Sequence, residues 1–195
     1  MRTNRKKHQT PALNLIIAIG LVTASGIGLG ITSANPEEHP FIFALCLSWL
    51  VTLFTSALTT KPFFAMPPSR FRVAAWERNG KIYKRLGVDT FRWMLLHTPL
   101  GWVNPNYGQI QSKADLDRLM RQLNCAEGAH LVAGGITLAV TAVFALRGQP
   151  SIGVWLVLIS IPLHAYPIML QRWNRARIVR IAQRVASRTK ESNLL

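Results

Sequence analysis

The chain has 195 residues, 49% of them hydrophobic, and a formal net charge of +15. A soluble domain of this length rarely combines so much apolar content with only 8 acidic residues. Such a basic chain can suggest a nucleic-acid partner, but here the cations flank long apolar runs. That pattern indicates a membrane protein, and we expect no nucleic acid among its partners.

Four apolar stretches predict transmembrane helices, and none of them contains Lys, Arg, Asp or Glu. Each has about 20 residues, the length of helix that crosses the hydrocarbon core. The runs are continuous and do not alternate, so helices are favoured over the strands of a barrel. We therefore predict an all-α integral membrane protein with a single membrane domain, whose spans are residues 13–34, 41–59, 128–146 and 151–170.

Short loops join these spans into two hairpins, and the basic residues are strongly asymmetric. Of the 23 Lys and Arg residues, all but Arg147 fall on the side that holds both termini and the segment 60–127. By the positive-inside rule this side faces the cytoplasm of a bacterial inner (cell) membrane. An alternative for the first span is a secretory signal peptide cleaved after Ala34, which would leave the other three spans in the same orientation.

The segment 60–127 is predicted to lie at the cytoplasmic surface, because aromatic and basic side chains that are interleaved suit the headgroup region. Its last part has an apolar stripe at helical spacing and is predicted to run as one helix into the third span. The tail 171–195 is a predicted basic amphipathic helix that contacts membrane lipid through anionic headgroups. The apolar stripe consists of Leu116, Leu119, Met120 and Leu123.

Glu127 and His130 open the third span at positions i and i+3, so they share a helix face near the cytoplasmic surface. A neutral imidazole can take the proton of a hydroxyl that attacks an acyl carbon. We interpret His130 as a general base and Glu127 as the carboxylate that orients its ring. A plain polar pair at a helix entry is the alternative reading.

Other chemistries find little support in the sequence. Glu-x-x-His is also the spacing of di-iron bundles, but a second copy and further carboxylates are missing from the spans, so no metal site is predicted. A GxSxG nucleophile motif is absent as well. Gly26, Gly28 and Gly30 lie in an apolar span and are interpreted as helix-packing residues.

The fourth span ends in a cluster of polar residues at the same membrane depth. His164 lies near its inner end, and Gln171, Arg172, Asn174 and Arg175 follow directly. Arg172 and Arg175 share one helix face, and Gln171 and Asn174 share another. We interpret the cluster as the cytoplasmic lip of a substrate pocket, in which the arginines hold the phosphates of a donor such as acyl-CoA.

Three stretches together resemble the bacterial glycosyl-4,4'-diaponeurosporenoate acyltransferase family, which acts in carotenoid synthesis of the staphyloxanthin type. They are "WERNGKIYKRLGVDTFR" from Trp76, "AEGAH" from Ala126 and "YPIMLQRWNRARI" from Tyr166. The resemblance implies that Glu77 and Tyr83 contribute to substrate binding. His164 stands where the family pattern leads us to expect Asn.

The resemblance implies transfer of a fatty acyl group to a hydroxyl of a glycosylated carotenoid, and the departure at His164 leaves a related lipid acceptor open. No bound cofactor is implied beyond the acyl donor. A non-enzymatic membrane scaffold or assembly factor remains the alternative function, in which Glu127 and His130 only hydrogen-bond between helices. A transporter is disfavoured, because the spans contain no charged residue that would line a pathway.

Overall fold

The structure, a computed structural model, describes residues 11–59, 68–98 and 113–192. Within these ranges every regular element is a helix, and the prediction of an all-α fold is confirmed. Two short 3-10 helices, Pro68–Phe71 and Ala75–Glu77, precede α3, and a π-helical turn, Ile161–Ala165, joins α6 to α7. The α-helices are α1 (Pro11–Thr32), α2 (Pro40–Thr59), α3 (Lys81–Arg85), α4 (Val88–His97), α5 (Lys113–Leu146), α6 (Pro150–Ser160) and α7 (Tyr166–Ser192).

The bundle has the length and surface of a membrane protein. Three stretches are long and apolar enough to cross a bilayer, Pro40–Leu58, Asp115–Leu146 and Pro150–Arg180, and Ile16–Thr32 adds a shorter apolar helix. Large apolar side chains cover the outside of the bundle, where Phe54 is 64% exposed. A surface of this kind is costly in water but is solvated by lipid chains. The N-terminal cations and the stretches 60–67 and 99–112 of the predicted surface segment lie outside the described residues.

The second helical hairpin consists of α5, which is continuous, and of α6 and α7, which are joined by the π-helical turn. α5 continues from the surface segment into the membrane as predicted, and Leu119 and Leu123 of its apolar stripe are buried against Ile178. α6 and α7 follow one another as one long helical stretch, which the π-helical turn interrupts. Pro162 in this turn lacks the N–H of a regular helical hydrogen bond, so a wider turn is accommodated there.

The membrane core is built around α2, which packs against α1, α5 and α6. Its buried side chains form one apolar cluster with those of α6: Phe43, Ala44, Ile152, Leu156 and Ile159. Of the three glycines interpreted as packing residues, only Gly28 contacts a neighbour closely, since an added Cβ would lie 2.6 Å from Cys46 Sγ. Gly26 and Gly30 face open space, so their predicted packing role is wrong within the described chain.

Residues 68–98, the described part of the predicted surface segment before α5, are called the surface segment below, and they pack against the start of α7. Tyr83, Val88 and Phe91 are buried there with Leu170 and Trp173. The chain enters α3 through Gly80, which has a φ of 68° and whose added Cβ would lie 3.3 Å from the Trp173 ring. Only glycine adopts this backbone conformation readily in so tight a space. The turn brings the residue three positions earlier, Glu77, against α7.

Candidate active site

Glu77 and Arg172 form a bidentate ion pair between the surface segment and α7. Arg172 Nε lies 2.5 Å from Glu77 Oε1, and Arg172 Nη2 lies 2.7 Å from Oε2. The amide of Ala74 donates a further hydrogen bond to Oε2 over 2.7 Å. The planar guanidinium matches a carboxylate in this geometry, which a lysine cannot reproduce. The pair therefore fixes the surface segment in one register on α7.

Glu127 of α5 joins the same network from the other side. Its Oε1 accepts a hydrogen bond of 3.0 Å from Arg172 Nη1, and its Oε2 lies 2.6 Å from Arg175 Nη1. Arg175 also donates to Asn124 Oδ1 over 2.9 Å, and its side chain is only 1% exposed. We call Glu77, Glu127, Arg172 and Arg175 the charge network. It ties α5, α7 and the surface segment together.

The charge network contains two carboxylates and two guanidinium groups, so its formal charges cancel. Removing a single ion from water costs several kcal/mol, and a partner of opposite charge offsets that cost only when geometry and hydrogen bonding are good. Here both oxygens of each carboxylate face an arginine nitrogen. Arg172 and Arg175 were expected to hold phosphates. In the structure their charges are instead balanced by Glu77 and Glu127.

Tyr83 completes the surroundings of Glu77 by donating its hydroxyl hydrogen to Oε1. Burial would by itself raise the pKa of Glu77, but the hydrogen bonds from Arg172, Tyr83 and the Ala74 amide outweigh it and lower the pKa to about 2. Burial, together with the neighbouring carboxylate, raises the pKa of Tyr83 to about 12. Near neutral pH Glu77 is therefore ionised and Tyr83 is a neutral donor.

One turn further along α5, His130 faces His164 of the π-helical turn, with ring centroids 6.1 Å apart. The Thr137 hydroxyl donates to the Ala133 carbonyl over 2.9 Å, so its oxygen is left to accept from His164 Nε2 at 3.4 Å. His130 in turn hydrogen-bonds the Leu163 backbone. These contacts favour tautomers in which each Nδ1 carries the lone pair.

Both Nδ1 atoms are buried and have no hydrogen-bond partner within the described part of the chain. A buried polar atom without a partner is uncommon and calls for an explanation, such as a role in catalysis. The histidine pair, defined as His130 and His164, therefore presents two basic nitrogens to the interior of the bundle. This arrangement can accept a proton from a substrate hydroxyl.

The prediction that Glu127 orients His130 is wrong. Although the two residues share a helix face, both oxygens of Glu127 are taken by Arg172 and Arg175, and His130 is paired with His164 instead. The physical reason is the strength of attraction, because two cations compete for a carboxylate more effectively than a neutral imidazole does. Glu127 belongs to the charge network, one helical turn from the base that it was expected to support.

The remaining site residues expected from the sequence lie on the adjoining turns of α7. Gln171 is buried and Asn174 is half-buried. Arg172 and Arg175 share a helix face as predicted, and both contact Glu127. Sequence reasoning missed Asn124 and Thr137. Asn124 lies three residues before Glu127, and this spacing was a signal that could have placed it in the network.

The fold and this site define a helical membrane protein with a buried ionic network and, near one end of its spans, a histidine pair whose Nδ1 atoms have no partner among the described residues. Comparison with protein families shows which reaction this class of membrane protein carries out. The chain belongs to the glycosyl-4,4'-diaponeurosporenoate acyltransferase family, whose model matches residues 67–184. This range includes the charge network and the histidine pair.

The family assignment confirms the resemblance seen in the sequence and identifies the chain as an acyltransferase of carotenoid biosynthesis at the level of the family. It also decides against the scaffold alternative. No curated protein and no solved structure matches the chain. The roles of individual site residues stay predictions.

Proposed function

We propose that this enzyme transfers a fatty acyl group to a hydroxyl of a glycosylated carotenoid or a related lipid at the cytoplasmic face of a bacterial cell membrane. The donor is a thioester of coenzyme A, and both termini lie in the cytoplasm. The family assignment supports the reaction class, and the distribution of Lys and Arg supports the orientation.

In this proposal His130 is the general base. Its Nδ1 takes the proton from the acceptor hydroxyl while the oxygen attacks the thioester carbonyl. An ester C–O bond forms, the C–S bond breaks, and the proton passes from His130 to the departing thiolate. Atoms and charge balance without any further reactant.

His164 and the charge network position the base. His164 lies beside His130 and anchors the π-helical turn through Thr137. The charge network holds α7 against α5 one to two turns away, so the separation of the two imidazoles depends on it. Gln171 and Asn174, on the next turns of α7, are proposed to contact the sugar of the acceptor.

The observation that carries this proposal is the histidine pair, whose two Nδ1 atoms are buried and unpartnered among the described residues, in a chain of an acyltransferase family. A general base needs an available lone pair in a site from which water is excluded. The two buried carboxylates among the described residues, Glu77 and Glu127, do not compete for this role, because both are bound by arginine.

The proposal is tested by expressing the full chain in a bacterial host that makes a glycosylated carotenoid but lacks any acyltransferase for it. Mass spectrometry of the extracted pigment is expected to show a new species whose mass corresponds to one added acyl group. The same host without the protein is the control. An inserted, folded protein that yields no acyl ester on pigment or glycolipid would refute the proposed function.

A further inference from the structure

A pocket of about 490 Å³ lies next to the charge network, on the side away from the histidine pair. The surface segment, α5 and α7 form its walls. Four arginines line it, Arg72, Arg78, Arg175 and Arg180, together with apolar groups such as Phe71 and Val179. No acidic residue lies among its lining residues. The pocket is therefore both cationic and partly apolar.

Three of these arginines have no counter-charge. In the part of the chain that the structure describes, no carboxylate forms an ion pair with Arg72, Arg78 or Arg180. Arg118, which does not line the pocket, has a partner in Asp115 at 3.6 Å. Cations held close together repel one another, and an anion between them relieves that repulsion.

Contacts of Arg180 and Arg175 within the protein hold the cationic wall of the pocket in place. Arg180 Nη1 donates to the Arg78 carbonyl over 2.7 Å, which holds its guanidinium at the pocket. Arg175 is almost completely buried, and its Nε has no hydrogen-bond partner among the described residues although its Nη atoms are occupied. A buried N–H of a charged group is costly to leave unpaired. This Nε is closed to the pocket, so Arg175 contributes its positive charge to the wall rather than a direct contact.

We propose that this pocket binds the phosphate groups of the acyl donor. That the bound phosphate belongs to the acyl donor rests on the proposed function, whereas the presence of an anion site in this pocket does not. Guanidinium groups bind phosphate oxygens in bidentate fashion, and the apolar wall accepts the non-polar part of an amphiphile. This assigns the phosphates to Arg72, Arg78 and Arg180, which have no counter-charge, and leaves Arg172 in the charge network.

The position of the pocket suits a long donor. Along α5, pocket-lining Asn124 precedes His130 by six residues, which corresponds to about 9 Å of helix rise. A donor with its phosphates in the pocket would extend past the charge network to bring its acyl carbon toward the histidine pair. Two acyl donors carry phosphate in this layout, the coenzyme A thioester of the proposed function and an anionic phospholipid, whose binding in its place would overturn the thioester as the donor.

The test measures binding without turnover. The full chain is reconstituted in nanodiscs of phosphatidylcholine, and binding of coenzyme A is followed by titration calorimetry. Arg72→Gln and Arg78→Gln are each expected to weaken it about tenfold, the effect of one lost charge-assisted hydrogen bond. Arg85→Gln removes the same charge from an exposed site outside the pocket and serves as the matched control. Arg180→Lys keeps the charge but loses the bidentate geometry, so an intermediate loss is expected.

A second arm separates the two donors. The same proteins are placed in nanodiscs that contain phosphatidylglycerol, and the lipid that each protein retains is counted by native mass spectrometry. If the pocket variants lose phosphatidylglycerol while coenzyme A binds to none of the proteins, the phosphate comes from a lipid headgroup. If neither ligand distinguishes the pocket variants from Arg85→Gln, the proposed site is refuted.

This result is independent of the proposed function. His130→Ala is expected to bind coenzyme A or phosphatidylglycerol like the unmodified chain, because His130 does not line the pocket. Intact binding without any acyl transfer by the unmodified chain would refute the proposed function alone. Acyl transfer by a protein whose pocket variants bind both ligands normally would refute the pocket alone.

Discussion

Arg172 donates hydrogen bonds to both carboxylate oxygens of Glu77, although the two residues are 95 positions apart in the chain. The same guanidinium also donates to Glu127 of α5. One side chain thus links the surface segment to the two helices that present the histidine pair. Through this contact Glu77 and Glu127, two of the few acidic residues of the chain, fix the position of the helices that carry the histidine pair.

Replacing Glu77 by Gln is expected to lower the free energy of unfolding by on the order of 3 kcal/mol, because the charge network would lose one of its two carboxylates. Denaturant titration in neutral detergent micelles measures the change. Glu38→Gln makes the same substitution at an exposed position of the first loop and should leave stability unchanged. Equal stability of Glu77→Gln and Glu38→Gln would contradict a structural role for the ion pair.

The pH dependence of stability should report the same pair. The pKa of Glu77 is lowered in the folded state to about 2, from an ordinary value of 4.5. Its contribution is therefore complete above the ordinary value and is lost as the pH falls from about 4.5 toward 2. The difference in unfolding free energy between the unmodified chain and Glu77→Gln should shrink over that interval. A difference that stays constant with pH would exclude the proposed ionisation of Glu77.

Glu127 and Arg175 should show strong energetic coupling. Glu127→Gln leaves Arg175 buried without its charge partner, and Arg175→Met removes one of the two cations that face Glu127. Each single change is expected to cost on the order of 3 kcal/mol, whereas the double variant should cost clearly less than the sum. Unfolding measurements on the four proteins complete the cycle. Additive losses would show that the two side chains do not act as a pair.

Adjacent glycines of α5 provide a matched test of the histidine pair. An added Cβ on Gly134 would lie 3.5 Å from His164 Cβ, whereas one on Gly135 would meet nothing within 4 Å. Gly134→Ala should therefore be tolerated, and Gly134→Leu should displace His164 and abolish acyl transfer while the protein still inserts. Gly135→Leu points into open space and should keep its activity. The account of the site fails if Gly134→Leu and Gly135→Leu transfer acyl groups equally well.

The membrane helices could be predicted from the sequence, because apolar runs without charges have few other solutions. The shared face of Arg172 and Arg175 followed from helical spacing alone. The long-range pair of Glu77 and Arg172 did not, since an irregular surface segment with Gly80 at its turn has no period that fixes its position on α7.

The histidine pair was equally hidden. His130 and His164 are 34 positions apart, and His164 lies in a π-helical turn that helical spacing does not predict. Pro162 and Pro167 were signals of an interrupted helix, but a proline alone does not determine whether the helix widens into a π-turn or kinks. Spacing favoured Glu127 as the neighbour of His130. This prediction failed because Arg172 and Arg175, two and five residues beyond the predicted fourth span, attract that carboxylate more strongly.

The most direct test of the central claim is acyl transfer by His130→Ala, with His97→Ala, an exposed histidine of α4, as the matched control. Mass spectrometry of the pigment should show no acyl ester with His130→Ala and a normal amount with His97→Ala, at equal levels of inserted protein. An undiminished ester from His130→Ala would contradict the assignment of the base and, with it, the proposed mechanism.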